Sequence, residues 1–244
     1  GKSTTGNGSS SDNNNSNNGD NSSTSGNSNN GNSSSTSNDN DWVGDGTYVD
    51  LGLPSGLMWA TCNVGAEKPE EVGGYFAWGE TKTNTEYSWS TYKHGTSSTK
   101  ITKYNKTDNL TVLDPEDDIA TVYVGSEWHT PTADEWQELK DECAWQYTSN
   151  YKETGKAGRL VFKKKIAGKY DVNSDAHIFL PNSGEYDNKT IYYPNEGWYW
   201  SSSLHDNKHQ AYCVNFWGTW DDYIKPKYKI YRYEGLCIRP VKSK

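Results

Sequence analysis

Residues 192–240 read YYPNEGWYWSSSLHDNKHQAYCVNFWGTWDDYIKPKYKIYRYEGLCIRP, and they include eight Tyr, four Trp and one Phe. Within this stretch, residues 211–217 and 236–241 carry the apolar patterns of β-strands. Aromatic rings offer a large contact area at a low cost in conformational entropy, and Tyr and Trp also carry a polar group. The stretch therefore predicts C-terminal strands whose loops present aromatic side chains for recognition.

The rest of the chain predicts further short strands and few helices. Residues 74–79 form another short apolar run, and residues 80–112 are polar and predict a long ordered loop. Helices placed early and strands placed late indicate an α+β fold with antiparallel strands. The other predicted strands span residues 47–51, 57–62, 159–164, 177–180, 198–202 and 227–231.

One helix is predicted at residues 132–143. Thr132 and Glu135 have the spacing of a capping box, in which each side chain satisfies a backbone N–H at the start of the helix. The residues that fall on one face at helical spacing are Trp136, Leu139 and Cys143. The acidic segment 114–118 resembles the first turn of a second, short helix, because negative charge there complements the helix dipole.

Residues 1–41 differ sharply from the rest of the chain. They contain 13 Asn, 13 Ser and 6 Gly, and the first apolar residue is Trp42. Such a segment cannot bury enough apolar surface to offset the entropy of ordering, so the sequence predicts a disordered tether. Residues 42–244 are enough for one globular domain.

The charge and hydropathy patterns exclude two classes of function. The formal net charge is −8 and there is no basic cluster, which argues against nucleic acid as a partner. No apolar run approaches the roughly 20 residues of a transmembrane helix, so no membrane span is expected. The domain is expected to be a monomer.

Four cysteines are present, Cys62, Cys143, Cys213 and Cys237. An even number is consistent with two disulfides, for which three connectivities exist. Cys213 and Cys237 both lie in strand patterns, and their pairing is the favoured one. The alternative is four buried thiols. No CxxC spacing occurs, which argues against a zinc ribbon.

The predicted binding site is the aromatic C-terminal region. Trp198, Trp200 and Phe216 are interpreted as core residues, but residues 218–223 read as a loop, where aromatic side chains have no core to enter. The residues expected to contact a ligand are Trp217, Trp220, Asp221, Asp222, Tyr223, His205, Asn207, Tyr231 and Tyr233.

No cofactor is expected, although one calcium hypothesis stays open. Residues 193–196 (YPNE) and 220–222 (WDD) approach the motifs of calcium-dependent sugar sites but are incomplete. The acidic run 116–118 is interpreted as helix-start chemistry rather than a metal site. No nucleophile elbow, P-loop or dinucleotide fingerprint is present, so the domain is expected to be non-catalytic.

Three ordered motifs together resemble a known family. They are residues 49–60 (VDLGLPSGLMWA) with 74–80 (GYFAWGE), residues 131–136 (PTADEW), and residues 199–203 (YWSSS) with 235–241 (GLCIRPV). The chain resembles the Fibrobacter succinogenes major paralogous domain family of Bacteroidetes surface proteins. That family is similar to the formylglycine-generating-enzyme branch of the C-type lectin fold. One departure is His129-Thr130, where the family usually has a basic and an apolar residue.

The resemblance implies a C-type-lectin-like domain on a surface lipoprotein or adhesin. Its implied location is extracellular, on the outer-membrane surface, with lipid anchoring through a segment that is not in this chain. The formylglycine-generating enzymes use a close pair of cysteines, whereas Cys213 and Cys237 are 24 residues apart. The expected ligand is a glycan or a host or bacterial surface protein. Two alternatives are a variable receptor protein of a diversity-generating retroelement and a structural pilus or surface component.

Overall fold

The computed structural model describes residues 47–220 and 223–244, so the predicted tether at residues 1–41 lies outside the described residues. The described part is an α+β structure made mostly of small antiparallel sheets. The strands are β1 (Tyr48–Asp50), β2 (Met58–Ala60), β3 (Gly95–Ser97), β4 (Lys100–Ile101), β5 (Trp128–His129), β6 (Cys143–Thr148), β7 (Gly158–Lys163), β8 (His177–Pro181), β9 (Glu185–Asp187), β10 (Thr190–Tyr192), β11 (Gly197–Leu204), β12 (Gln210–Phe216), β13 (Ile224–Tyr231) and β14 (Val241–Lys242).

The helix α1 (Ala133–Glu142) confirms the helix predicted after Pro131. Its capping box is formed: the Glu135 N–H donates to Thr132 Oγ1 at 3.2 Å, and the Thr132 N–H donates to Glu135 Oε2 at 2.7 Å. Trp136 and Leu139 are buried on the predicted face. The helix ends where Cys143 becomes extended and begins β6. In the described part of the chain, no helix is long and apolar enough to cross a membrane.

The acidic segment does not start a continuous second helix. Pro115–Asp117 form a 3-10 turn, Asp118 is extended, and Ala120–Val124 form a separate π-helical turn. The buried Asp118 carboxylate explains the break, because it accepts hydrogen bonds from the Thr130 backbone N–H at 2.8 Å and hydroxyl at 2.6 Å. Asp118 Oδ1 also accepts a hydrogen bond from the Ala120 N–H at 3.0 Å, so the carboxylate joins Thr130 to the start of the π-helical turn.

The strands form five separate sheets among the described residues. The first has the order β1-β2-β14-β5, in which Val241 near the end of the chain pairs with Trp59. Most of the remaining strand pairing lies in two three-stranded sheets, β6-β7-β8 and β11-β12-β13. The predicted loop at residues 80–112 contains the hairpin β3-β4, and the hairpin β9-β10 was missed by the sequence patterns.

The core lies on both faces of β11. Successive side chains of a strand point to opposite faces, so Tyr199 and Trp200 enter two different clusters. Tyr199 packs with Trp136, which contacts Trp59 at a ring-centroid distance of 4.7 Å. Trp200 packs in the cluster that contains Trp78. Both clusters are built on the same strand, and this strand is the centre of the fold.

The three motifs on which the family resemblance rests meet at this strand. Trp136 Nε1 donates to the Trp200 carbonyl at 3.1 Å, and Trp200 Nε1 donates to the Phe76 carbonyl at 2.7 Å. The backbone N–H of Trp200 donates to the Cys237 carbonyl at 3.0 Å. Each motif thus contributes a buried contact, which means that the motifs are core residues and specify packing.

Arg239 ties the last motif to two other segments. Its side chain is fully buried, and Nε donates to Asn63 Oδ1 at 2.8 Å. Nη1 donates to the carbonyls of Ala60 and Thr61, and Nη2 donates to the carbonyl of Phe179 at 2.9 Å. A buried charge is tolerated when its donors are satisfied in this way.

The predicted Cys213–Cys237 disulfide is wrong, because both residues are buried thiols. Cys213 lies opposite Trp200 on β12, whereas Cys237 bonds to Trp200 from the other side of β11. Two strand spacings of about 4.8 Å exceed the roughly 7 Å between Cα atoms that a disulfide can bridge. The two side chains also enter different core clusters. Cys143 is a buried thiol as well, while Cys62 is buried beside Thr61.

Candidate functional site

A groove opens where β12 and β13 meet the segment 193–198, and it is called the tyrosine groove below. Its volume is about 440 Å³, within the range of roughly 300–1,000 Å³ that is typical of small-ligand sites. Its walls combine aromatic rings with acidic and amide side chains. The lining residues are Glu185, Tyr193, Glu196, Trp198, Gln210, Asn215, Trp217, Tyr228, Lys229, Ile230, Tyr231 and Glu234.

Three tyrosines of the groove are exposed although they are large aromatic side chains. The exposed fractions are 55% for Tyr193, 43% for Tyr228 and 41% for Tyr231. Tyr228 packs edge-on against the buried Trp198 at 5.4 Å, and Tyr231 stacks on Tyr233 at 5.6 Å with an interplanar angle of 11°. These contacts fix the rings from behind and leave part of each ring available to a ligand.

Tyr193 is held in an uncommon backbone conformation. Its φ angle is 49°, in the left-handed region that few residues other than glycine adopt. The turn is closed by the Glu196 N–H, which donates to the Tyr193 carbonyl at 2.9 Å. The turn places the Tyr193 ring against Trp198, with a centroid distance of 6.0 Å. Backbone strain of this kind is frequent in residues that form binding sites.

The loop after β12 forms one end of the groove. Trp217 stacks on Tyr223 at 5.1 Å with an interplanar angle of 13°. The buried Arg159 fastens this loop, because its Nη2 donates to the carbonyls of Trp217, Gly218 and Trp220 at 3.3, 3.1 and 2.9 Å. The Trp220 side chain is 68% exposed. The exposed indole of Trp220 extends the aromatic surface beside the groove.

Glu234 is the most unusual polar residue of the groove. Its side chain is only 6% exposed, and its Oε2 atom has no hydrogen-bond partner among the residues that the structure describes. Burial, together with the nearby carboxylates of Glu185 and Asp187, raises the pKa of Glu234 to about 9. Buried acids normally have partners, so this one indicates an unfilled interaction.

Two further glutamates add carboxyl groups to the groove. Burial and the nearby carboxylates of Asp187 and Glu196 raise the pKa of Glu185 to about 7. Glu196 Oε2 accepts a hydrogen bond from Asn215 Nδ2 at 3.0 Å. The lining set contains one basic residue, Lys229. The groove is therefore acidic as well as aromatic.

The structure brings together part of the predicted site. Trp217 and Tyr231 line the groove, while Tyr223 and Tyr233 support them by stacking. Trp220 lies on the adjoining loop, held by Arg159. Asp221 and Asp222 lie outside the described residues.

His205 and Asn207 do not line the groove. Both lie in the loop between β11 and β12, where the Asn207 N–H donates to His205 Nδ1 at 3.0 Å. The His205 ring packs against Tyr212 at 4.9 Å. Asn207 lines a different cavity, of about 580 Å³, together with Lys208 and His209. His205 lines a separate pocket of about 590 Å³ that adjoins the tyrosine groove, since both are lined by Gln210, Tyr228 and Lys229.

Sequence reasoning missed the groove glutamates as site residues. Glu185 lies in β9, Glu196 in the turn before β11, and Glu234 after β13. Nothing in their spacing signals proximity, since tertiary packing alone brings them together. Glu196 was visible only as part of the YPNE segment considered for calcium binding.

The acidic cluster at Asp114, Glu116 and Asp117 is filled by lysine side chains. Its carboxylate atoms lie within 4.8 Å of one another. Lys103 Nζ lies 2.7, 3.1 and 2.7 Å from these three carboxylates, and Lys93 Nζ lies 2.5 Å from Asp117. Burial opposes ionisation of Asp117, but the hydrogen bonds from the lysines lower its pKa to about 2. The arrangement is a structural ion-pair network.

No protein-family model, curated protein or solved structure matches the chain. The resemblance drawn from the three motifs therefore stays a prediction, and the function has to be argued from the residues of the groove.

Proposed function

We propose that this chain is a non-catalytic, extracellular glycan-binding domain with a C-type-lectin-like fold on a bacterial surface protein. The observation that carries the proposal is the tyrosine groove, in which exposed rings stand beside polar side chains. Flat aromatic surface with a few placed polar groups is the general composition of small-ligand sites. The proposed surface location follows from the family resemblance.

The fold part of the proposal rests on the position of the three motifs. They contact one another at β11 through hydrogen bonds of Trp136, Trp200 and Cys237. Residues that specify a fold are expected in its core, and these residues are fully or nearly buried. The α+β class of the described residues is compatible with a C-type-lectin-like domain. Fold alone does not identify the ligand.

The ligand part of the proposal rests on the chemistry of the groove walls. The rings of Tyr193, Tyr228 and Tyr231 can stack on the apolar faces of sugar rings. Gln210 and Glu196 lie beside these rings and can hydrogen-bond sugar hydroxyls. In this proposal the ligand contacts Trp217 and Tyr231, which the sequence also predicts, together with Tyr193 and Tyr228.

Binding rather than catalysis is favoured by the state of the thiols. Burial raises the pKa of Cys143 and Cys237 to about 12, so neither is a ready nucleophile. Both lie in strand-rich core clusters. Glutamates with raised pKa values can act as general acids, so the binding experiment includes a search for cleaved sugar product.

The test is a glycan array with the purified chain, in calcium and in chelator, followed by titration of any ligand found. Tyr228→Ala and Tyr231→Ala are expected to weaken binding by about tenfold each, the effect of losing a central aromatic contact. Tyr147→Ala is the matched control, because Tyr147 is 38% exposed on β6, outside the groove. Glycan binding that survives both groove substitutions, or no glycan binding at all, would contradict the proposal. Release of new reducing ends would contradict the non-catalytic assignment.

A further inference from the structure

We propose that the tyrosine groove selects sugars that carry a protonated primary amine, such as glucosamine units without N-acetyl groups. The inference rests on the proposed glycan function and names the chemical class of the ligand. It depends on three features of the groove: carboxyl groups without ion-pair partners, a buried acid whose Oε2 atom has no hydrogen-bond partner among the described residues, and exposed tyrosine faces.

The first feature is a concentration of carboxyl groups without ion-pair partners. Glu185, Glu196 and Glu234 line the groove, and Asp187 lies close enough to raise the pKa of two of them. Among the described residues, none of these four carboxylates has an ion-pair partner within 4.0 Å, whereas the buried Asp117 has two lysines. A cationic ligand would favour the ionised forms of these acids, which would release their protons and pair with it.

The second feature is Glu234 itself. A buried carboxyl oxygen without a hydrogen-bond partner is costly, so native proteins rarely contain one without a function. In the part of the chain described, Glu234 is the buried carboxylate whose oxygen, Oε2, has no partner, and it faces the groove. A donor on the ligand would satisfy it, and an ammonium group donates three hydrogen bonds and a positive charge.

The third feature is the set of tyrosine faces. Tyr193, Tyr228 and Tyr231 are each about half exposed around the acids. An aromatic face attracts a cation through its quadrupole when the cation lies within about 6 Å of the ring centre. The same faces stack on a sugar ring. An amino sugar offers both an ammonium group, which matches the groove acids, and a ring face, which matches the tyrosine rings.

A metal ion fits the groove less well than an organic cation. Calcium takes six to eight oxygen ligands at about 2.3–2.6 Å, which requires closely grouped carboxylates. In the described ranges, the acidic group with atoms within 4.8 Å of one another is Asp114, Glu116 and Asp117, where Lys103 already lies. The groove glutamates are more widely spaced. They suit a ligand that reaches several acids with separate donors.

The experiment compares two matched oligosaccharides, a glucosamine trimer and an N-acetylglucosamine trimer, by calorimetry near neutral pH, because Glu185 and Glu234 both hold protons at acidic pH. The wild-type chain is expected to bind the amine form at least about tenfold more tightly. Glu234→Gln and Glu185→Gln are expected to remove most of this preference. Glu127→Gln is the control, since its side chain is 67% exposed and pairs with Lys242 away from the groove. Thermal unfolding of each variant establishes that it is folded.

The outcomes separate the two proposals. Equal binding of both trimers, or tighter binding of the acetylated one, would overturn the amine inference and leave the glycan function intact. A preference that persists in both groove variants would also overturn it. Binding of neither trimer would overturn the inference, and if the array is also blank it removes the glycan function. A lysine-rich peptide forms the last arm: its binding in place of the sugars would show that the amine comes from a protein ligand and would contradict the sugar assignment.

Discussion

Arg239 and Glu234 lie in the same C-terminal segment and are both buried, but their surroundings differ. The Arg239 guanidinium donates to Asn63 and to three backbone carbonyls, whereas Glu234 Oε2 has no partner among the described residues. A buried polar group with all its partners inside the protein serves the fold. A buried polar group that lacks a partner lowers the stability of the protein, unless a ligand supplies the partner. The comparison separates the core of this protein from its binding surface.

The largest expected effect on stability comes from replacing Arg239, whose guanidinium is hydrogen-bonded inside the protein. Arg239→Met leaves one amide oxygen and three carbonyls without a donor, so we expect a loss of about 3–5 kcal/mol in the free energy of unfolding. Chemical denaturation measures the loss, with the exposed Lys156→Met as the control. A loss below about 1 kcal/mol would mean that Arg239 does not hold the core together.

The next effect concerns Glu234, whose Oε2 atom has no partner among the described residues. Replacing Glu234 should raise the free energy of unfolding rather than lower it. Glu234→Gln replaces a buried acid that has to take up a proton on folding at neutral or higher pH, so we expect a gain of about 1–3 kcal/mol in the free energy of unfolding at about pH 8. The folded pKa is about 9, above the ordinary value of about 4.5, so the folded state holds a proton that the unfolded state releases. Stability contributed by this proton is present below about pH 4.5 and is lost as the pH rises towards 9.

Thermal unfolding of Glu234→Gln and the wild type at about pH 5 and about pH 8 measures this difference. The gain should be small at the lower pH and larger at the higher pH. The more exposed Glu127→Gln should show no such dependence. A stability loss at both pH values would show that Glu234 is a structural acid, and the comparison with Arg239 would fail.

A smaller effect on stability is expected at the start of helix α1. Thr132→Ala removes the side-chain half of the capping box of α1, and we expect a loss of about 1 kcal/mol. Thr83→Ala, at an exposed loop position, is the control. Far-ultraviolet circular dichroism during denaturation measures both. An equal effect of the two substitutions would show that the cap contributes nothing specific.

The smallest effect concerns the exposed aromatic loop. Trp220→Ala should change the free energy of unfolding by less than about 0.5 kcal/mol, because the indole is 68% exposed. The same variant should show a measurable change in ligand affinity if the loop extends the binding surface. A large loss of stability would assign Trp220 to the fold rather than to recognition.

The elements that the sequence predicts well have local causes. The capping box at Thr132 and Glu135 requires a spacing of three residues, and the strand patterns around β11, β12 and β13 require only alternation. Predictions that needed distant residues to meet were less successful. The Cys213–Cys237 bridge is wrong because β11 lies between the two residues. The predicted site residues do not all share one groove, because Asn207 lines a different cavity and His205 lines a pocket that adjoins the tyrosine groove at Gln210 and Tyr228.

The sequence by itself determined the helix α1 and the strands β11, β12 and β13, and that the C-terminal region is rich in aromatic side chains. Only the tertiary structure decided which of those rings stay exposed and which acids stand beside them. Glu185, Glu196 and Glu234 come from three separate segments, and their proximity depends on sheet pairing and loop packing. Backbone propensity and side-chain alternation act over a few residues, whereas a binding groove is set by contacts between residues that are far apart in the chain.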